Sequence, residues 1–174
     1  LLLGTGVTVC LLSALVHAQL FTLTREQLIA YSAQNPFERF ADGRPKVPDA
    51  LIERARGLSY EEIFAVLPGK GFRNQYADGF EVLHPGKKLI GRAFTVQFMP
   101  IRPDVVTVDD ADAKSKGLAP GSNQRAIDML QRGDVAVADL NGEVKDSTFV
   151  GDNLAYYIMR TTGTGFVVDG AIRD

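Results

Sequence analysis

Asp152, Arg173 and Asp174 are the residues of this chain whose types and spacing fit together as chemistry. An arginine's planar guanidinium pairs with carboxylates in fixed geometry and neutralises an oxyanion, which a lysine does less specifically. Two aspartates add hard oxygen donors of the kind that a magnesium or manganese ion accepts while keeping several waters. Gly151-Asp152-Asn153-Leu154 reads as the opening of a helix, and a helix start offers unpaired amides and the positive end of its dipole to a carboxylate. An anion cradle around Asn153 to Ala155, one arginine and two carboxylates describe a metal-enolate site. Each residue also has a plainer role open to it: Asp152 as an N-cap, Arg173 as the ion-pair partner of Asp169, and Asp174 as a loop acid.

The elements that must position these groups follow from periodicity. Leu154, Ala155, Ile158 and Met159 recur on one helical face until Gly163 and Gly165 stop the helix. Phe166, Val167 and Val168 form a short strand, and the chain turns through Asp169 and Gly170 towards Arg173. The helix start and the strand end are therefore expected to converge at one edge of a sheet, where α/β folds bind ligands.

These strings resemble the RraA-like family, which joins the 4-hydroxy-4-methyl-2-oxoglutarate/4-carboxy-4-hydroxy-2-oxoadipate aldolases to the regulators of ribonuclease E activity. The aldolases carry an Asp, twenty residues and then Arg-Asp, and Asp152, residues 153 to 172 and Arg173-Asp174 reproduce that spacing. Gly-x-Asn-Leu-Ala from Gly151, Val-x-Asp-Gly-Ala-x-Arg-Asp from Val167, and Gly133-Asp134-Val135 leading into an apolar strand that ends at Asp139 are similar too. With the Leu89 to Val96 strand, the resemblance covers roughly residues 50 to 174.

The resemblance implies a three-layer swivelling β/β/α fold, assembled as a homotrimer or higher oligomer with sites at subunit boundaries. It implies a divalent-metal-dependent lyase of the class II aldolase type. Such an enzyme cleaves 4-hydroxy-2-oxo-dicarboxylates to pyruvate and a 2-oxo acid, with oxaloacetate decarboxylation through the same enolate. Arg173 and Asp152 are then the catalytic residues. Gly151, Asp152, Asn153, Leu154 and Arg173 bind the substrate, and Asp174 is a ligand to Mg2+ or Mn2+. The family pattern continues with another acidic residue a few positions after Arg-Asp, so the domain is expected to continue past Asp174. The competing expectation is a non-catalytic regulatory or binding protein, since the regulator branch often lacks the full acidic set.

The rest of the chain is organised around that domain. Residues 1 to 18 have no charge and end in Val16-His17-Ala18, as a signal-peptide core and its small-residue cleavage site would, with cleavage after Ala18. The expectation is a secreted or periplasmic protein with no stable membrane anchor. The only cysteine, Cys10, lies in that segment, so the remainder has neither disulfides nor a thiolate metal site. Residues 19 to 48 read as an extension: a helix opened by the capping box Thr24-Arg25-Glu26-Gln27, then a proline-rich surface strap with the turn Asp42-Gly43.

Residues 49 to 174 form the main domain. Pro48 and the capping box Ser59-Tyr60-Glu61-Glu62 open two helices, and Pro68-Gly69 closes the second. From Lys70 to Lys88 the chain is irregular, with Phe72, Tyr76 and Phe80 expected to anchor it to the core and His84 in a turn. A strand over Leu89 to Phe98, an acidic loop at Asp109, Asp110 and Asp112, a helix from Ser122 and a strand from Val135 to Ala138 follow. At 45% hydrophobic and 23% charged residues, this is material for one globular α/β domain. A net charge of -2 carries no basic excess, which speaks against general nucleic-acid binding.

Overall fold

The computed structural model describes residues 23–98, 100, 102–118, 122–141 and 148–173. The expected export signal, with Cys10, and the expected metal ligand Asp174 lie outside the described residues. Among the described residues, no helix is long and apolar enough to cross a membrane.

The centre is a parallel sheet of three strands in the order β1-β2-β3: β1 Arg92–Gln97, β2 Asp134–Asp139 and β3 Phe166–Asp169. The register sets Gln97, Asp139 and Asp169 level at the carboxyl ends of the strands, and Arg92 level with Asp134 at the other end. β1 is shorter than the sequence suggested, because Gly91 to Leu89 run outside the ladder. Parallel strands need helical crossovers. Here α4 Pro103–Ser115 and α5 Ser122–Asp128 link β1 to β2, and α6 Asp152–Thr162 links β2 to β3.

The period-two alternation of the strands decides which face is covered. Phe94, Val96 and Phe98, Ala136, Ala138 and Leu140, and Phe166 and Val168 share one face with Ile127 of α5, Leu130 just after it, and Leu154, Ala155 and Ile158 of α6. Phe149 is the aromatic hub of that core, with Phe98 and Phe166 ring centroids 5.9 and 6.1 Å away. The described residues thus supply a helical layer and one sheet; the second sheet of the expected β/β/α sandwich is not among them.

Three expectations need correction. The acidic segment at Asp109 is not a solvated loop but part of α4, since Pro103 at the first helical turn starts a helix that runs through it. Asp109 is buried against Arg125 of α5, whose guanidinium donates to both carboxylate oxygens at 2.7 and 2.6 Å. Phe72 and Phe80 do not reach the core and stay exposed, and Tyr76 packs on Tyr60 and Phe64 of α3 (Tyr60–Val66) instead. The strap, finally, is more than a surface feature: Arg44 reaches the fully buried Asp134 of β2.

The amino-terminal helices obey their caps. In α1 (Arg25–Tyr31) the Thr24 hydroxyl accepts from the Gln27 amide, and in α3 the Ser59 hydroxyl accepts from the Glu62 amide, each answered by the reciprocal side-chain bond. Pro48 precedes α2 (Asp49–Ala55).

Candidate functional site

The site is assembled where β3 ends and α6 begins. Past β3 the chain stays parallel to the segment that enters α6: the Phe149 amide donates to Ala171 O at 3.1 Å and the Arg173 amide to Val150 O at 3.1 Å. Gly170 makes this possible. Its φ is +148°, and a Cβ there would lie 2.5 Å from the Leu140 side chain, so no other residue fits the bend. Asn123 of α5 steadies the same segment by donating its side-chain amide to Phe149 O at 3.2 Å.

These bonds carry Arg173 to the amino end of α6. Its side chain lies beside Gly151, with Cγ and Nε each 3.6 Å from where a Cβ on Gly151 would sit. Gly151 is the N-cap and makes no side-chain capping bond. The sequence reading of Asp152 as N-cap is therefore corrected: Asp152 is the first helical residue, and its carboxylate accepts from the Asn153 amide at 2.7 Å. The Ala155 amide already donates to Gly151 O at 2.9 Å. The cradle is thus narrower than the expected Asn153 to Ala155. The amides of Asp152 and Leu154 donate to no described group, and they belong to the first turn, the positive end, of an eleven-residue helix.

Asp152, Asn153 and Arg173 are exposed, while Gly151 and Leu154 are half-buried. Arg173 and Asp169 form no ion pair among the described residues, which removes the plainer role considered for the arginine. An exposed guanidinium beside open helix amides is a place for a carboxylate.

No group of three histidine, cysteine or acidic side chains gathers among the described residues. One carboxylate, that of Asp152, stands at the candidate site among the described residues, which by itself makes no all-protein cage for a divalent ion. The expected ligand, Asp174, lies outside the described residues.

One polar feature of this sheet edge was not singled out from the sequence. Gln97 donates to Asp139 at 2.7 Å, and the Asn141 amide donates to its other oxygen at 2.7 Å, so the ends of β1 and β2 are tied by a carboxylate. The signal was an acid closing each of two apolar strands in register, Asp139 and Asp169. A cleft of about 640 Å³ lined by Phe37, Phe40, Lys46 and Arg92 lies instead at the opposite ends of the strands, and no candidate residue borders it.

A sequence model of the RraA-like family, described as Aldolase/RraA, matches residues 47–174. Protein DlpA of Legionella pneumophila is 35% identical over 92 residues, which is 53% of this chain and 13% of DlpA. RraAS2 of Streptomyces coelicolor, an unusual member of the RNase ES inhibitor RraA protein family, superposes with a TM-score of 0.57 at 31% identity, covering 80% of this chain and 58% of that one. An uncharacterized protein from Pseudomonas syringae pv. tomato shares the fold, with a TM-score of 0.52 at 24% identity over 80% of this chain and 53% of its own. The chain therefore spans little more than half the length of these solved structures and a small part of DlpA.

Proposed function

We propose, from the premise that this chain belongs to the RraA-like family, that it is a divalent-metal-dependent lyase releasing pyruvate from 4-hydroxy-2-oxo-dicarboxylates. The observation that supports this reading is the placement of the Arg173 side chain beside Gly151, the N-cap of α6. A 2-oxo acid presents two features to such a point. Its carboxylate suits the amides of Asp152 and Leu154, and its keto oxygen, which becomes an enolate oxygen, suits Arg173.

In the cleavage, the C4 hydroxyl loses its proton and its oxygen becomes the carbonyl of the departing 2-oxo acid. The C3–C4 bond breaks, and its electron pair becomes the enolate of pyruvate, which is then protonated at C3. Arg173 meets the charge that develops on the enolate oxygen. Asp152, exposed at the helix start, orients a water that takes the proton from the hydroxyl and returns one to carbon. A divalent cation, when bound by Asp174 and water, supplies Lewis-acid polarisation of the keto group. Oxaloacetate, which yields the same enolate on losing carbon dioxide, is a second substrate in this scheme.

The second reading, a binding protein without catalysis, draws on the likeness to RraAS2, a member of an inhibitor family. The retained Asp152 and Arg173 favour the enzyme. The test is pyruvate release from 4-hydroxy-2-oxo-dicarboxylates and from oxaloacetate by the full-length protein, with Mg2+ or Mn2+ and after chelation. Metal-dependent release supports the lyase; its absence from a folded protein shifts the assignment to the binding class.

A further inference from the structure

The chain upstream of the family-matched region is bonded into the base of the sheet. Residues 38 to 46 fold back on themselves: the Phe40 amide donates to Arg44 O at 2.9 Å and the Lys46 amide to Glu38 O at 2.6 Å. Arg39 ties this loop to the end of α1, donating to the Ser32 hydroxyl at 2.6 Å and to Ser32 O at 2.8 Å. From the loop, Arg44 crosses to the first residue of β2 and donates to Asp134 at 3.1 Å.

Asp134 has no exposed surface. A carboxylate so placed stays charged only with partners. One oxygen accepts from Arg44 and from the Gln131 amide at 3.0 Å. The other has only the Arg92 Nε at 3.6 Å, an ion-pair contact too long for a hydrogen bond. Arg92 is itself committed elsewhere, to Val47 O at 2.9 Å and Asp49 at 2.7 Å. Arg44 is thus the closer of the two cations, and it comes from outside residues 47–174.

Aromatic faces complete the joint. The Arg44 guanidinium lies 5.3 Å from the Phe40 ring centroid and 4.8 Å from that of Phe94 in β1, and Arg92 lies 5.5 Å from Phe40. The Phe40 ring thus meets both guanidiniums engaged with Asp134, and Lys46 Nζ at 5.9 Å as well.

We propose that residues 36 to 48 are a latch integral to the folded domain, in which Arg44 is the counter-ion that lets Asp134 be buried at the start of β2. The folding unit then includes these residues and does not begin at residue 47. Arg92 and Asp134 pair at the amino ends of the strands, whereas Gln97 and Asp139 pair at the carboxyl ends, beside the candidate site. Five residues of strand separate the two ends, roughly 17 Å. The latch therefore governs stability and leaves the chemistry of Arg173 untouched.

The experiment uses the full chain as wild type, Arg44→Met, Asp134→Asn and the double variant. Each is melted, and each is digested with chymotrypsin under native conditions, with cleavage at Phe40 scored against the exposed Tyr76 as internal reference. Arg44→Met is expected to lower the Tm by on the order of 5–10 °C, less than for a pair with one partner only, because Arg92 remains. It is expected to raise the Phe40-to-Tyr76 cleavage ratio about tenfold, as a locally opened segment would. In the Asp134→Asn background, where no buried carboxylate needs neutralising, Arg44→Met is expected to cost less than half as much in Tm. Unchanged melting and cleavage in Arg44→Met, or an effect undiminished in that background, overturns the proposal. If Arg44→Met does not fold, the isosteric Asp134→Asn still decides it: a several-fold rise in the cleavage ratio supports the latch, and wild-type protection overturns it.

Discussion

Gly151 and Arg173 are packed so that the missing side chain of one is the path of the other: a Cβ on Gly151 would lie 3.6 Å from both Cγ and Nε of the arginine. That spacing is ordinary contact for a single methyl and leaves no room for a branch. Gly151 has φ -105°, open to any residue, so substitution tests space and not backbone strain. Gly151→Ala and Gly151→Val should each cost about 0.5–1.5 kcal/mol, as poorer N-caps than glycine. Their activities should diverge. The alanine variant should stay within a few-fold of wild type in pyruvate release, and the valine variant should fall at least about tenfold, as reacting groups displaced by an ångström lose rate steeply. Equal turnover in the two variants would show that position 151 does not confine Arg173.

Removing the guanidinium itself should be more severe. If Arg173 meets charge that appears only as the carbon–carbon bond breaks, its loss lowers kcat more than it raises KM. Arg173→Ala and Arg173→Lys should both lose about a hundredfold or more in turnover, because lysine keeps the charge and gives up the fork. Melting should barely move, since the side chain is exposed and the Arg173 amide, not its guanidinium, bonds to Val150. Near-normal turnover in folded Arg173→Ala would remove the catalytic assignment.

Both residues were legible from the sequence because local rules place them: a glycine-led helix start and a strand ended by Asp-Gly are set by neighbours in the chain. What was not legible depends on partners far away in sequence. Asp109 read as part of an acidic loop, and its cation, Arg125, is sixteen residues on. Asp134 read only as part of a strand motif, and its cation, Arg44, lies ninety residues before it in what read as a surface strap. The aromatic segment failed for the opposite reason. Phe72 and Phe80 have the composition of core anchors, yet among the described residues no element comes to cover them.

The Asp109–Arg125 pair gives a stability prediction independent of the site. Two nearly buried charges meet with two parallel hydrogen bonds, and α4 is held to α5 through them. Asp109→Ala leaves the guanidinium buried without its partner and should cost about 3–5 kcal/mol in denaturant unfolding. Replacing both with apolar residues of similar size, Asp109→Leu with Arg125→Met, should cost much less than Asp109→Ala alone. A loss below about 1 kcal/mol in Asp109→Ala would mean that water reaches the pair.

Acid should loosen the base of the sheet through Asp42 of the latch and Asp49 of α2. At Asp42, burial pushes the carboxyl up, but hydrogen bonds from the Arg44 side chain and amide, with the arginine's charge, outweigh it and hold the group below its usual range. At Asp49, the hydrogen bond from Arg92 and then its charge do the same, with smaller help from Arg132 and Lys46. Both groups bind protons less readily folded than unfolded. Their contribution is therefore complete above the unfolded value of about 3.9 and is lost as pH falls through the lower folded values. The Tm should decline below about pH 4 more steeply in wild type than in Asp42→Asn or Asp49→Asn. Asp104, held down to about 2 by its hydrogen bond with Arg102, adds an acid slope of its own in α4, common to all three proteins. Differences between the profiles therefore isolate the pairs that Asp42 makes with Arg44 and Asp49 makes with Arg92. Parallel profiles from pH 6 to pH 2.5 would show that neither carboxylate gains from its arginine in the folded state.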